Sequence, residues 1–255
     1  MTTYRAADGE YPKLIVVAAG PSECGKTRAM EELFLHDAPR RISIDFVGEV
    51  VQKYNDDALE LFSIDELRDA LVECAKHDRW HIALCIPPES MPDAAPRLAR
   101  LLNPARTSSD HHSFPREVGG VAIDCSEARL FVPNMKSTWA AHSVSFVERG
   151  RHNRLSMFFA TQAPQSVERR VTDAADHLLA FRTQEEAVWN YWRSVTSSSV
   201  ADTIAALPKY HCAWIVKDEQ AVYLLDAERE VYRVLDYAGH DMAPASPIPT
   251  EEVAP

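Results

Sequence analysis

One octapeptide restricts the fold of this 255-residue chain more than anything else in it. Gly20-Pro21-Ser22-Glu23-Cys24-Gly25-Lys26-Thr27 fits the pattern G-x-x-x-x-G-K-[ST], directly after the apolar run 14–19 and directly before a helical pattern over 26–35. Glycines at both ends let the backbone curl so that successive N–H groups point at phosphate oxygens, and the following helix presents its positive end to them. Lys26 then reaches the terminal phosphates and Thr27 ligates Mg²⁺. Glu23 is an acid inside a loop built for anions, and it is expected to point outward. The whole segment, Gly20, Pro21, Ser22, Glu23, Cys24, Gly25, Lys26 and Thr27, is expected to hold ATP with Mg²⁺.

A strand that feeds such a loop lies inside a sheet, and the rest of the chain supplies the partners. Apolar runs of strand length recur at 42–46, 80–86, 121–125, 155–160 and 177–181. Apolar residues spaced three and four apart at 64–76, 138–149, 166–175 and 185–194 predict amphipathic helices between most of them. Near-continuous apolar strands alternating with helices predict an α/β fold with a mostly parallel sheet covered on both faces. Three short, closely spaced runs at 213–216, 221–225 and 231–235 predict a C-terminal β-hairpin or meander added to that sheet. The region 87–120 is expected to be a loop-helix-loop excursion. Residues 1–13 read as a loose arm, 14–236 as one domain, and the Pro-rich, acidic stretch 237–255 as a disordered tail.

Charge and composition narrow the possible partners. A formal net charge of −11 argues against a broad basic face for nucleic acid, while leaving room for a few Lys or Arg at a pore. No run approaches the length of an apolar membrane span, and the N-terminus lacks a leader pattern, so a cytoplasmic protein is expected. The five cysteines are scattered without a CxxC pair and are expected to be buried free thiols. The ten histidines, His111-His112 included, show no ligand-like spacing, and Trp189, Tyr191 and Trp192 are expected to pack in a core or an interface.

A second acidic element follows the strand at 121–125. Asp124 is placed to hold the Mg²⁺ shell and Glu127 to polarise an attacking water. In an alternative register Ser126-Glu127-Ala128 takes the place of an adjacent acid pair, which puts Ser126 at the metal position and Asp124 inside the strand. Glu127 is the base in both.

With these elements located, residues 14–235 resemble the FtsK–HerA superfamily of DNA-pumping ATPases. Ile44-Asp45-Phe46-Val47-Gly48-Glu49 is similar to its Asp-x-x-Gly-Glu element, and Glu127-Ala128-Arg129-Leu130-Phe131-Val132-Pro133 to its Glu-Ala-His-x-Phe-x-Pro run. Arg149-Gly150-Arg151-His152-Asn153-Arg154, with Ala160-Thr161-Gln162-Ala163-Pro164 after the next strand, resembles its Gly-Arg element and terminal Ala-Thr-Gln-x-Pro. Leu207-Pro208-Lys209-Tyr210 resembles the Leu-Pro before its final hairpin. The resemblance implies a RecA-like (ASCE) P-loop NTPase core. It also implies Gln162 as a γ-phosphate sensor and one of Arg149, Arg151 and Arg154 as a finger reaching a neighbouring subunit.

Among the branches of that superfamily, a motor reduced to one domain best resembles the genome-packaging ATPases of tailless, membrane-containing double-stranded DNA viruses. The resemblance implies a homo-oligomeric ring, hexamer or pentamer, acting on double-stranded DNA with a viral capsid or vertex protein, cytoplasmic in the host or virion-associated. The segments 103–118 and 133–138, with Lys136, are candidate DNA contacts. The competing expectation is a nucleotide or small-molecule kinase using the same loop, for which the stretch 103–118, with Arg106, His111, His112 and Arg116, is the nearest candidate lid. A third is a nucleotide-dependent switch.

Overall fold

Strands that are apolar on both sides are stable only where helices cover both faces of a sheet, and the computed structural model has that form. It describes residues 11–46, 48, 58–102, 120–134, 138–150 and 154–242. Residues 1–10, Val47, Glu49, the candidate DNA or lid stretch 103–118, Lys136, Arg151 and the tail from 243 lie outside the described residues.

The strands are β1 (Ile15–Ala19), β2 (Arg40–Asp45), β3 (Leu59–Leu61), β4 (Trp80–Cys85), β5 (Val121–Cys125), β6 (Leu155–Thr161), β7 (His177–Phe181), β8 (Cys212–Val216), β9 (Ala221–Leu225) and β10 (Val231–Asp236). They form one sheet in the order β10-β9-β8-β7-β1-β6-β5-β2-β4-β3. Pairing is parallel from β7 through to β3, and β8, β9 and β10 extend the β7 edge as an antiparallel meander.

The helices are α1 (Lys26–Met30), α2 (Ile64–Cys74), α3 (Met91–Leu102), α4 (Ala128–Phe131), α5 (Thr138–Gly150), α6 (Arg169–Ala174), α7 (Glu186–Val195) and α8 (Ser198–Ala205). A π-helical segment, Glu31–Leu35, continues α1. Its Leu33, Phe34 and Leu35 pack with Val16, Ala18, Phe158 and Trp214 on one face of the sheet. The buried apolar residues of α2 to α8 cluster with the opposite face. Trp192 is fully buried there, and Trp189 Nε1 donates to Asp202 of α8 at 3.0 Å, so this aromatic group packs helix against helix as expected.

The mixed α/β class, the parallel centre and the antiparallel C-terminal strands all follow the sequence expectation. Three elements were not anticipated. α4 is a four-residue helical turn directly after Glu127. β3 is a three-residue edge strand, and α8 begins at a serine run whose Ser197 side chain caps it by accepting from Val200 N–H at 3.3 Å. The helix expected over 166–175 is shorter: a 3₁₀ turn at Pro164–Ser166 and a β-bridge from Val167 to Pro133 precede α6. Close to the chain ends, Tyr11 donates to the Phe34 carbonyl at 3.1 Å, and Met242 N–H donates to Val234 at 2.9 Å.

Candidate nucleotide site

The C-terminal ends of β1, β5 and β6 meet at one edge of the sheet, where open α/β folds place their ligands. β1 runs into the glycine loop, which is clamped at its start by Gly20 N–H donating to Thr161 of β6 at 3.1 Å. A Cβ on Gly20 would stand 2.5 Å from Phe181 Cβ, so no side chain fits there. Gly25 lies at φ 97, in the left-handed region, and a Cβ on it would stand 3.3 Å from an Arg229 nitrogen. Glu23 lies at φ 57 with its side chain exposed.

Lys26 opens α1 and folds back over the loop, where its Nζ donates to the carbonyls of Gly20 at 2.8 Å and Pro21 at 2.6 Å. Burial lowers its pKa, while Cys24 and the Glu127 carboxylate act in the opposite direction. An ammonium held by neutral carbonyls, with no salt bridge among the described residues, is ready to exchange them for anionic oxygens. Beside it, a cavity of about 400 Å³ is lined by Glu23, Gly25, Lys26, Thr27, Arg28 and Tyr210.

Glu127 follows β5 at the start of α4, with its side chain 26% exposed and Oε2 3.5 Å from Arg129 Nε. That oxygen is buried and has no hydrogen bond among the described residues. Asp124 has a different environment. Along β5, Val121, Ile123 and Cys125 pack with the opposite face, which leaves Ala122 and Asp124 on the α1 side. Both Asp124 oxygens are engaged: Arg41 donates to them from Nε at 2.7 Å and Nη2 at 3.2 Å, and Ser43 donates at 2.7 Å. Arg41 also reaches Glu31 at 2.6 Å, and Ser43 meets His81 at 2.8 Å. Glu31 stands one helical turn beyond Thr27, so this network lies below the rim that carries the glycine loop. Ser126 directly follows the end of β5, one residue before Glu127 and nearer that rim.

Gln162 directly follows β6, exposed, one residue beyond the carbonyl that clamps Gly20. Arg154 precedes β6 at the opposite edge, exposed and at φ 60, with its carbonyl accepting from Val121 N–H at 3.2 Å. Arg149 lies in the last turn of α5 and is exposed on a separate cavity of about 310 Å³ shared with Arg100, His142 and Phe146. Lys26, Thr27, Glu127 and Gln162 thus share one edge of the sheet, whereas Arg154 occupies the other.

Sequence reasoning did not identify Arg229 as part of this region. It is 1% exposed in the turn between β9 and β10, with Nη1 donating to the Tyr210 carbonyl at 2.6 Å and Nε 3.2 Å from Glu32 of the α1 extension. An arginine in a polar hairpin turn gives no local sign that it is buried; only the meander's return toward α1 brings it there.

No protein-family profile and no curated protein matches the sequence. Solved structures do. The DNA-packaging ATPase B204 from Sulfolobus turreted icosahedral virus superposes with a TM-score of 0.63 at 16% identity, over 84% of this chain and 97% of that one. The genome-packaging NTPase B204 from Sulfolobus turreted icosahedral virus 2, in complex with AMPPCP, gives 0.61 at 15% identity, over 84% and 97%. Its complex with ATPγS gives 0.59 at 14% identity, over 83% and 95%. At these identities the likeness establishes the fold, that of P-loop ATPases, the fold expected from the sequence motifs.

Proposed function

We propose that this chain hydrolyses ATP with Mg²⁺ and uses the cycle to move double-stranded DNA, packaging a viral genome into a preformed capsid. The observation that carries the proposal is the convergence of Lys26, Thr27, Glu127 and Gln162 at one sheet edge, in a fold shared over nearly the full length of a DNA-packaging ATPase. The glycine loop supplies N–H donors, and Lys26 exchanges its carbonyl partners for phosphate oxygens. Glu127, whose buried Oε2 faces Arg129 at 3.5 Å and makes no hydrogen bond among the described residues, orients and activates the attacking water. Gln162, beside the loop, senses the terminal phosphate.

Thr27 supplies one oxygen for Mg²⁺, whose charge would neutralise that of the phosphates. Of the two candidates after it, full engagement of Asp124 by Arg41 and Ser43 favours Ser126 at the metal position and a structural role for Asp124. The finger, from Arg154, Arg151 or Arg149, acts on the neighbouring subunit's nucleotide in a homo-oligomeric ring, because Arg154 stands at the edge away from its own loop. DNA and a capsid or vertex protein are the partners, in the host cytoplasm or on the virion.

The test measures ATP hydrolysis by the purified protein alone, with duplex DNA, and with small hydroxyl or phosphate acceptors. Stimulation by DNA of any sequence, weakening as salt rises, is expected. Stoichiometric phosphorylation of a small acceptor with no response to DNA would replace the motor with a kinase.

A further inference from the structure

Tyr210 is conformationally unusual and stands at the mouth of the nucleotide cavity. Its backbone lies at φ 70, a left-handed conformation that an aromatic residue rarely adopts, and the residue is 43% exposed. Such conformations persist where the surroundings over-determine them. Here the surroundings are identifiable. The buried Arg229 guanidinium donates to the Tyr210 carbonyl at 2.6 Å and to the Asp226 carbonyl at 3.2 Å, and it faces Glu32 at 3.2 Å. Tyr210 is therefore fixed, through Arg229, to the helix that the glycine loop opens.

This arrangement orients an aromatic ring toward the loop. Tyr210 Cδ1 would stand 3.5 Å from a Cβ on Gly25, and the residue lines the same cavity as Lys26, Thr27 and Arg28. The phosphates belong at Lys26 and Thr27, so a ring held at the rim of that cavity is within reach of the nucleotide's other end. Lys209 Nζ lies 4.7 Å from the ring centroid, which adds positive charge beside it.

We infer that Tyr210 is the base platform of the nucleotide site: its ring stacks on the base, while Arg229 acts as a positioning residue that holds it there. Stacking uses a π-face that every base possesses, so the site accepts purine nucleotides with little discrimination between adenine and guanine. The inference rests on the nucleotide reading of the glycine loop and concerns a part of the ligand that the loop does not touch.

The experiment compares equilibrium binding of Mg·ATP, Mg·GTP and Mg·tripolyphosphate, which lacks base and sugar, to the full chain and its Tyr210→Ala and Tyr210→Phe variants. Tyr210→Ala is expected to weaken ATP and GTP binding by about 5- to 100-fold and to leave tripolyphosphate binding unchanged, while Tyr210→Phe binds all three like the parent. Unchanged ATP affinity in Tyr210→Ala overturns the inference. So does an equal loss of tripolyphosphate, which would mean that the substitution distorts the loop. Failure of the parent chain to bind either ATP or tripolyphosphate would instead overturn the nucleotide reading itself. As a second readout, Tyr210→Trp is expected to show fluorescence quenching by ATP and none by tripolyphosphate; quenching by neither counts against stacking.

Discussion

Replacing Asp124 with asparagine separates a structural carboxylate from a metal ligand. The residue is buried, at 7% exposure, and its side chain accepts two hydrogen bonds from Arg41 and one from Ser43. Asparagine keeps the shape but turns one acceptor into a donor, so one Arg41 N–H loses its partner while Glu31 still holds Nη1 at 2.6 Å. Losing one charge-assisted bond and stranding a buried donor costs about 2–4 kcal/mol. For a chain of this size that lowers the melting midpoint by about 4–16 °C. Thermal or urea unfolding without nucleotide gives the stability change, and a Mg²⁺ titration of ATP hydrolysis gives the metal requirement. The expected result is lower stability with an unchanged Mg²⁺ midpoint, whereas Ser126→Ala shifts that midpoint and leaves stability unaltered. An Asp124→Asn protein as stable as the parent, with a Mg²⁺ requirement raised tenfold or more, would refute the structural assignment.

Glu127→Gln should retain Mg·ATP and lose hydrolysis by roughly 10²-fold or more, as for loss of a general base; equal turnover would remove Glu127 from the mechanism. Mixing Lys26→Ala subunits with Arg154→Ala subunits, each inactive alone, should restore partial ATPase activity, and an Arg154→Ala protein with full activity would rule out that arginine as the finger. Burial lowers the His177 pKa from 6.5 to about 4, with Glu219 and Asp218 opposing. Between those values the unfolded chain takes up a proton that the native state refuses, so stability falls as pH drops from 6.5 toward 4, by up to about 3 kcal/mol. His177→Phe, next to Phe34 and Trp214, should flatten that acid limb in unfolding curves collected at several pH values; an unchanged slope would contradict it.

The centre of the fold was legible because its strands are buried on both faces. β1, β5, β6 and β7 read as near-continuous apolar runs, and the antiparallel meander announced itself by its short spacing. What escaped notice lacks such a signal. β3 has three residues, two of them exposed, and α8 starts in Ser197-Ser198-Ser199, which resembles a loop until Ser197 is seen to cap it. The glycine loop declares its chemistry because eight consecutive residues carry it. Arg41 and Arg229 owe their environments to partners 83 and 19 residues away, so neither burial could be read locally.

The pairing of β1 has a consequence for how the chain is made. The strand that carries the glycine loop is synthesised well before its neighbours in the sheet, β6 and β7. Ile15 N–H donates to the Asp176 carboxylate at 2.7 Å, across 161 residues of sequence. At about 5–20 residues per second, a ribosome leaves this wholly apolar strand without its partners for on the order of ten seconds or more. The nascent chain therefore carries an unpaired apolar strand until β6 and β7 have emerged, and the phosphate loop lacks the Thr161 carbonyl that clamps Gly20 until then. Slower folding than chain length alone would suggest, and soluble yields that improve at low temperature or with added chaperone, follow from that order of events.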